Sequence, residues 1–257
     1  MTAPVSVAFN TDQSRTAFQL FHPKGNIITA EMVSSLRSAL ESIAQNPHLK
    51  LVTIEGTGDD FSFGASIPEH APGRIGAVLP DMHRLIMDLL EVPAATGAIV
   101  RGRCLGGGFE LALACDFIFA ADDAVFGLPE VALGVFPPAA CALLPLRVGA
   151  ARASRAILTG EESGTAPWKE TGLITISVAA ERLDEEVDRW FDRHLRPKSA
   201  AAIRHAAHAA RLSILSHVST TLPELERIYL QDLMRTGDAA EGIAAFLEKR
   251  SPDWKDR

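Results

Sequence analysis

The chain has 257 residues, 47% hydrophobic and 22% charged, with a net charge of −7. This is the balance of a globular protein with room for a sizeable core, and it excludes a disordered chain. The acidic balance argues against a general nucleic-acid binder and leaves room for a small anionic ligand held by a few local Lys and Arg.

Two β-prone runs open the chain, Val5–Phe9 and Thr16–Phe21, and Asp12, Gln13 and Ser14 between them predict a hairpin turn. Met32, Leu36, Leu40 and Ile43 then recur at helical spacing behind Thr29, a residue suited to capping a helix. Leu51–Glu55 is a short strand candidate. Phe61–Gly76, with Gly64, Pro68, Pro72 and Gly73, reads as a loop. Pro80–Glu91 is expected to be helical, Ala95–Val100 a strand, Phe109–Ala114 a helix and Phe117–Ala120 a strand. This alternation predicts an α/β fold. After about Gly149 the pattern becomes mostly helical: Ala150–Leu158, Arg182–His194, Ser199–His217, Leu222–Thr236 and Asp238–Lys249, the last with Asp238 and Glu241 at capping-box spacing. Gly160–Gly164 and Pro197 are seams, so residues 1–195 are expected to form the α/β core with the active site and 196–257 a helical C-terminal region. No repeat or low-complexity segment interrupts this order.

Cys104, Cys115 and Cys141 lie in apolar stretches without a CxxC, and are read as buried free thiols of a reducing cytosol. The first sixteen residues lack a basic start and an apolar run, which speaks against a signal peptide; no stretch of 18 apolar residues predicts a membrane span. A cytoplasmic protein without a membrane partner is expected.

The most unusual segment is Gly102-Arg-Cys-Leu-Gly-Gly-Gly-Phe-Glu110. Three consecutive glycines cost backbone entropy and suggest a close backbone approach. The segment is neither a Walker loop nor GxGxxG. Two readings stay open: a tight structural turn, or exposed N–H groups at a helix start suited to a developing anion. Glu110 stands in apolar sequence and reads either as a capping carboxylate or as a catalytic acid or base. Glu130, in Phe126-Gly-Leu-Pro-Glu130-Val, reads as a loop charge or as the second member of such a pair. Ser66 in Gly64-Ala-Ser66 lacks the closing glycine of a nucleophile elbow. His205, His208 and His217 read as a solvated helix face, and without HExxH no metal site is expected. His70 reads first as a solvated loop residue and second as pocket lining.

Five blocks in order resemble the crotonase superfamily, the enoyl-CoA hydratase/isomerase family. They are Pro23-Lys24-Gly25-Asn26-Ile27-Ile28, Phe61-Ser-Phe-Gly64-Ala65-Ser66, Gly102–Glu110 with Leu-Ala-Leu-Ala-Cys-Asp116, Phe126-Gly-Leu-Pro-Glu130-Val-Ala-Leu-Gly134, and Phe246-Leu-Glu-Lys-Arg-Ser-Pro-Asp-Trp254. The resemblance implies the crotonase fold, an α/β spiral of repeated ββα units with a helical C-terminal trimerisation region. It implies an oxyanion hole of the Ala65 and Gly107 amides gripping a thioester carbonyl, flanked by Gly64 and Gly106, with Ser66 where the family commonly has Asp. Glu110 and Glu130 fall on the two catalytic positions that the family's hydratases carry together. Glu110 is expected to orient and deprotonate water, and Glu130 to exchange the proton at carbon. Lys24 and Lys249, with Arg250, are the candidates for the CoA phosphates. The implied substrate is an acyl-CoA, with CoA as part of the substrate and no further cofactor, and the implied assembly is a homotrimer or homohexamer.

The family's P-G-x-G-G-T-Q-R-L block is replaced by Pro137-Pro-Ala-Ala-Cys-Ala-Leu-Leu-Pro145, which makes Pro137 part of an apolar, reshaped acyl pocket. The loop at 61–66, followed by Glu69-His70, resembles the branch that adds water in a 1,4 sense to cyclohexa-1,5-diene-1-carbonyl-CoA in anaerobic benzoyl-CoA breakdown. A general enoyl-CoA hydratase, an isomerase, a thioester hydrolase and a non-catalytic RNA-binding paralogue are the alternatives.

Overall fold

The computed structural model describes residues 3–71 and 73–257, so Pro72 lies outside the described residues. Strands β1 (Val5–Phe9) and β2 (Arg15–Leu20) form the expected hairpin. Helix α1 (Ala30–Ile43) begins at Thr29, whose hydroxyl accepts from the Met32 N–H at 3.2 Å, and its buried face carries Met32, Leu36, Leu40 and Ile43. Then come β3 (Leu51–Gly56), a 3-10 turn (Ile67–His70), α2 (Ile75–Leu90), β4 (Ala95–Val100), β5 (Arg103–Leu105), α3 (Gly107–Ala114), β6 (Phe117–Ala121) and β7 (Val125–Gly127). A 3-10 turn (Pro129–Leu133), α4 (Pro138–Val148), α5 (Ala150–Thr159), β8 (Ser163–Gly164), α6 (Thr165–Glu170), β9 (Ile176–Val178), α7 (Leu183–His194), α8 (Ala200–Arg227) and α9 (Gly237–Glu248) complete it.

A six-stranded sheet runs in the order β1-β2-β3-β4-β6-β9, parallel except for the hairpin. β4 is buried along its whole length, as expected of a parallel strand covered on both faces. One face packs on α1, α2 and α3. On the other, Leu51, Ala95 and Phe117 meet Trp190 and Phe191 of α7 and Ile203 of α8.

The second, smaller sheet places the chemistry. β5 and β7 pair in parallel with Leu105 opposite Gly127, and a further parallel bridge sets Ser62 beside Cys104. Three segments therefore run side by side in one direction and leave at one end. Ala65 follows the first, Gly106 and Gly107 the second, and Glu130 the third.

Several expectations need correction. α2 begins five residues earlier than expected and contains Pro80; the carbonyl this proline leaves without its helical N–H belongs to exposed Gly76, open to solvent. The helices expected at 199–217 and 222–236 are one helix, α8, running through Pro223 into a π-turn at Ile228–Asp232. Asp238 does not cap α9. Thr236 does, accepting from Ala239 N–H at 3.2 Å, while Asp238 and Glu241 hold the amides of Lys255 and Asp253 in the C-terminal segment. Cys104 and Cys115 are buried, but Cys141 is only half-buried; all three are free thiols.

Candidate active site

Each of the three glycines has a distinct contact. Gly106 has φ of +49°, and a Cβ added there would stand 2.6 Å from Glu130 Oε1. A Cβ at Gly107 would stand 3.3 Å from the Ala65 amide nitrogen, and one at Gly108 2.6 Å from Ser62 Cβ. The helix start is thus pressed against the Ser62–Ala65 loop through bare backbone. Replacing Gly106 with Ala is expected to lower kcat/KM at least tenfold and to cost about 1–3 kcal/mol of stability, because the methyl both strains the backbone and displaces the Glu130 carboxyl; steady-state kinetics and urea unfolding check this.

Ala65 sits in a parallel bridge with Ile28. Ile28 N–H donates to Gly64 O at 2.9 Å and Ser66 N–H to Ile28 O at 3.0 Å. Strand alternation turns the Ala65 N–H away from Ile28, toward Gly107. Gly107 is the first residue of α3, so its N–H has no partner within the helix. The two amides lie beside one another at the positive end of that helix.

Glu110 is 6% exposed. Its Oε1 accepts from Ala140 N–H at 2.9 Å. The block from Pro137 to Pro145, expected to act as an apolar wall, forms most of α4, with Pro138 in the first turn where its missing N–H costs nothing. The free first-turn amides of α4 point at the Glu110 carboxylate. Glu130, on the 3-10 turn after β7, has Oε2 buried and without a hydrogen-bond partner among the described residues. Burial raises Glu110 to about 7 against the lowering effect of the Ala140 and Ala139 amides. Burial, followed by the nearby Glu110 charge, raises Glu130 to about 8.

Two hollows meet at these groups. The outer, of about 740 Å³, is lined by Lys24, Gly64, Ser66, Gly106, Phe246 and Lys249 among others. The inner, about 50 Å³, is lined by Gly107, Glu110, Pro137 and Tyr229, and by Ile75, Leu79, Met82 and Phe136. Ala65, His70 and Glu130 line both. The structure therefore brings every candidate site residue except Arg250 to the walls of these two adjoining cavities. Arg250 is held by Glu241 and Glu248.

His70 is not a solvated loop residue. It is half-buried in the cavity, Nδ1 lies 2.9 Å from Ser66 O, and burial lowers its pKa. That contact is to the Ser66 carbonyl, and among the described residues no hydrogen bond joins the imidazole to the Ser66 hydroxyl. Burial and both glutamate charges push the Cys141 thiol up to about 12, which makes it a poor nucleophile. Nucleophilic catalysis has no activated group here, and no cluster of metal-ligating side chains occurs among the described residues. His205, His208 and His217 are exposed on α8, as expected. Tyr229 and Phe136 are among the lining residues that sequence reading missed. The one available signal was that Tyr229 is the chain's single tyrosine.

A family model described as "Enoyl-CoA hydratase/isomerase" matches residues 11–257. The chain is 41% identical over 256 residues to the cyclohexa-1,5-dienecarbonyl-CoA hydratase of Thauera aromatica, covering 100% of this chain and 98% of that protein. It is 32% identical to the 2,3-dehydroadipyl-CoA hydratase of Escherichia coli K12, covering 90% of each. A crystal structure of an enoyl-CoA hydratase from Mycobacterium avium subsp. paratuberculosis K-10 superposes with a TM-score of 0.87 at 29% identity, covering 100% of both chains.

Proposed function

This chain belongs to the enoyl-CoA hydratase/isomerase family, and from that premise we propose that it is a hydro-lyase of the enoyl-CoA hydratase type whose substrate is a conjugated cyclic dienoyl-CoA, cyclohexa-1,5-diene-1-carbonyl-CoA. The observation that carries hydration is the pair of buried carboxyls on one chamber, set so that near neutral pH they share one proton. The small inner chamber, closed by Ile75, Leu79, Met82 and Phe136, favours a compact acyl group over a long chain. The 41% likeness to the Thauera protein supports the cyclic diene.

In this reading the thioester oxygen is gripped by the Ala65 and Gly107 amides, each contributing about 3 kcal/mol to the enolate-like transition state. Glu110 orients and deprotonates the water, and Glu130 is the source of the proton that ends on carbon. Lys24 and Lys249, both exposed at the mouth, take the CoA phosphates, and Pro137 shapes the acyl end. CoA is part of the substrate and no other cofactor takes part. Three free cysteines suit a reducing cytoplasm. The exposed Leu212 on α8 suits burial in a homotrimer or homohexamer.

Incubation with the cyclic dienoyl-CoA and a straight-chain enoyl-CoA in ¹⁸O water tests the reading. Label in a hydroxyacyl-CoA, with the cyclic substrate preferred, is the expected result; free acid and CoA would replace hydration by hydrolysis. The kcat/KM profile is expected to be bell-shaped, with limbs near 7 and 8 that belong to the coupled pair. Below the lower limb both carboxyls are protonated and no base remains. Above the upper limb both are ionised and no acid remains. A profile flat from pH 6 to 9 would remove the shared proton from the mechanism.

A further inference from the structure

Tyr229 sits in the π-turn that follows α8, and such turns re-aim a side chain out of helical register. The residue is 1% exposed, and its ring packs edge-on against Phe136 with the ring centres 5.4 Å apart. Its hydroxyl is buried and has no hydrogen-bond partner among the described residues, and the residue lines the inner chamber with Glu110 and Glu130. Phenylalanine would fill the same space without the desolvation cost of a buried phenol. The Glu130 Oε2 atom is the other buried oxygen of this chamber without a partner. Among the polar side chains lining it, His70 is already bonded to the Ser66 carbonyl and Glu110 to the Ala140 amide. Tyr229 and Glu130 thus bring two uncommitted oxygens, from two separate elements, to one apolar chamber.

The proposed substrate sets a demand that two carboxyls grouped around one water do not meet. When water joins the carbon β to the thioester of a conjugated cyclic diene, the electron pair runs to the thioester oxygen. It returns along the second double bond, and the proton is taken at the remote carbon, on the opposite edge of the ring. We propose that Tyr229 is a third catalytic residue, its phenol delivering the proton to that remote carbon while Glu130 restores the phenol. This assignment rests on the cyclic-diene reading above.

The water oxygen bonds the β carbon and Glu110 takes a water proton. The dienolate held by the two amides collapses, the remote C–H bond forms with the phenol proton, and the carboxylic acid of Glu130 reprotonates the phenolate oxygen. Glu110 begins ionised and ends protonated, Glu130 the reverse, and proton exchange between them resets the pair. The net change is H and OH added across the acyl group. Burial, with the charges of Glu130 and Glu110, holds the phenol far above its ordinary pKa, so it stays protonated between turnovers.

The test is Tyr229→Phe in the full-length protein, assayed with the cyclic dienoyl-CoA and a straight-chain enoyl-CoA in deuterium oxide. On the cyclic substrate kcat is expected to fall about 10²-fold, with KM changed less than threefold and the melting temperature not lowered. The loss is expected to be at least tenfold larger than on the straight-chain substrate, and the residual product to carry less deuterium at the remote carbon. An equal loss on both substrates makes Tyr229 merely structural and overturns the assignment, as does an unchanged rate on the cyclic substrate. A parent protein that hydrates only the straight-chain substrate overturns the substrate reading and this assignment with it, and that failure is seen before any variant is made.

Discussion

Glu130→Gln lowers kcat by about 10²–10⁴-fold and at the same time makes the protein more stable at pH 8. The two effects have one cause. In the folded chain Glu130 holds its proton to about pH 8, whereas an unfolded glutamate loses it near 4.5. Between those values the unfolded chain binds fewer protons than the folded one, so stability falls as pH rises through this window. A shift of this size corresponds to a few kcal/mol at pH 8, and glutamine carries no such penalty. For a chain of this length each kcal/mol is about 2–4 °C in Tm. The difference in Tm between Glu130→Gln and the parent is therefore expected to be near zero at pH 4.5 and to grow to several degrees by pH 8. Calorimetry across that range, beside hydratase kinetics, checks both halves. A variant that loses activity and stability together would place Glu130 among the structural residues. Glu110→Gln should lose rate comparably, and the double variant little more than either, since the two carboxyls serve as base and acid of one addition.

Arg211→Met costs about 3–5 kcal/mol of folding stability. Arg211 is 2% exposed on α8. Its guanidinium donates to the carbonyls of Leu90 (3.2 Å), Val92 (2.7 Å) and Ala94 (2.7 Å), and to both carboxylate oxygens of Asp116, with Nε at 2.8 Å. Asp116 in turn accepts from Thr96 N–H at 2.8 Å. One side chain thus ties the end of α2, the start of β4 and the turn after α3 to α8. Methionine keeps much of the volume but leaves three buried carbonyls and a carboxylate without their donor. Urea unfolding measures the loss; a change below about 1 kcal/mol would mean that water replaces the guanidinium. Because α8 leads into the turn that carries Tyr229, this variant is also expected to lose hydratase activity at temperatures well below the parent's melting point.

Local signals in the sequence sufficed for much of the fold. The β1–β2 hairpin, the Thr29 cap and the apolar face of α1 depend on residues within a few positions of one another, and they match the structure. The short strands β5 and β7 were missed because three residues carry no readable period. Their pairing is with each other, about twenty positions apart, and with the Ser62 loop, about forty positions before. Prolines misled in both directions. Helices were expected to begin at Pro80 and at Leu222, yet Pro80 and Pro223 lie inside longer helices where the carbonyl each frees, of Gly76 or Ser219, is on an exposed residue. Pro138 suggested a wall and instead begins the helix that holds Glu110.

The sequence by itself determined the family, the order of its motif blocks, and which loop, glycine run and glutamates to suspect, because residue type and spacing along the chain carry that information directly. Only the tertiary structure decided that α4 aims its first amides at Glu110, that His70 turns inward, that the Glu241 and Glu248 carboxylates occupy Arg250, and that Tyr229 reaches the same chamber from over a hundred positions away. Those are approaches between segments distant along the chain. They are set by strand pairing and by the packing of α8 on the core, and no local period or cap encodes them.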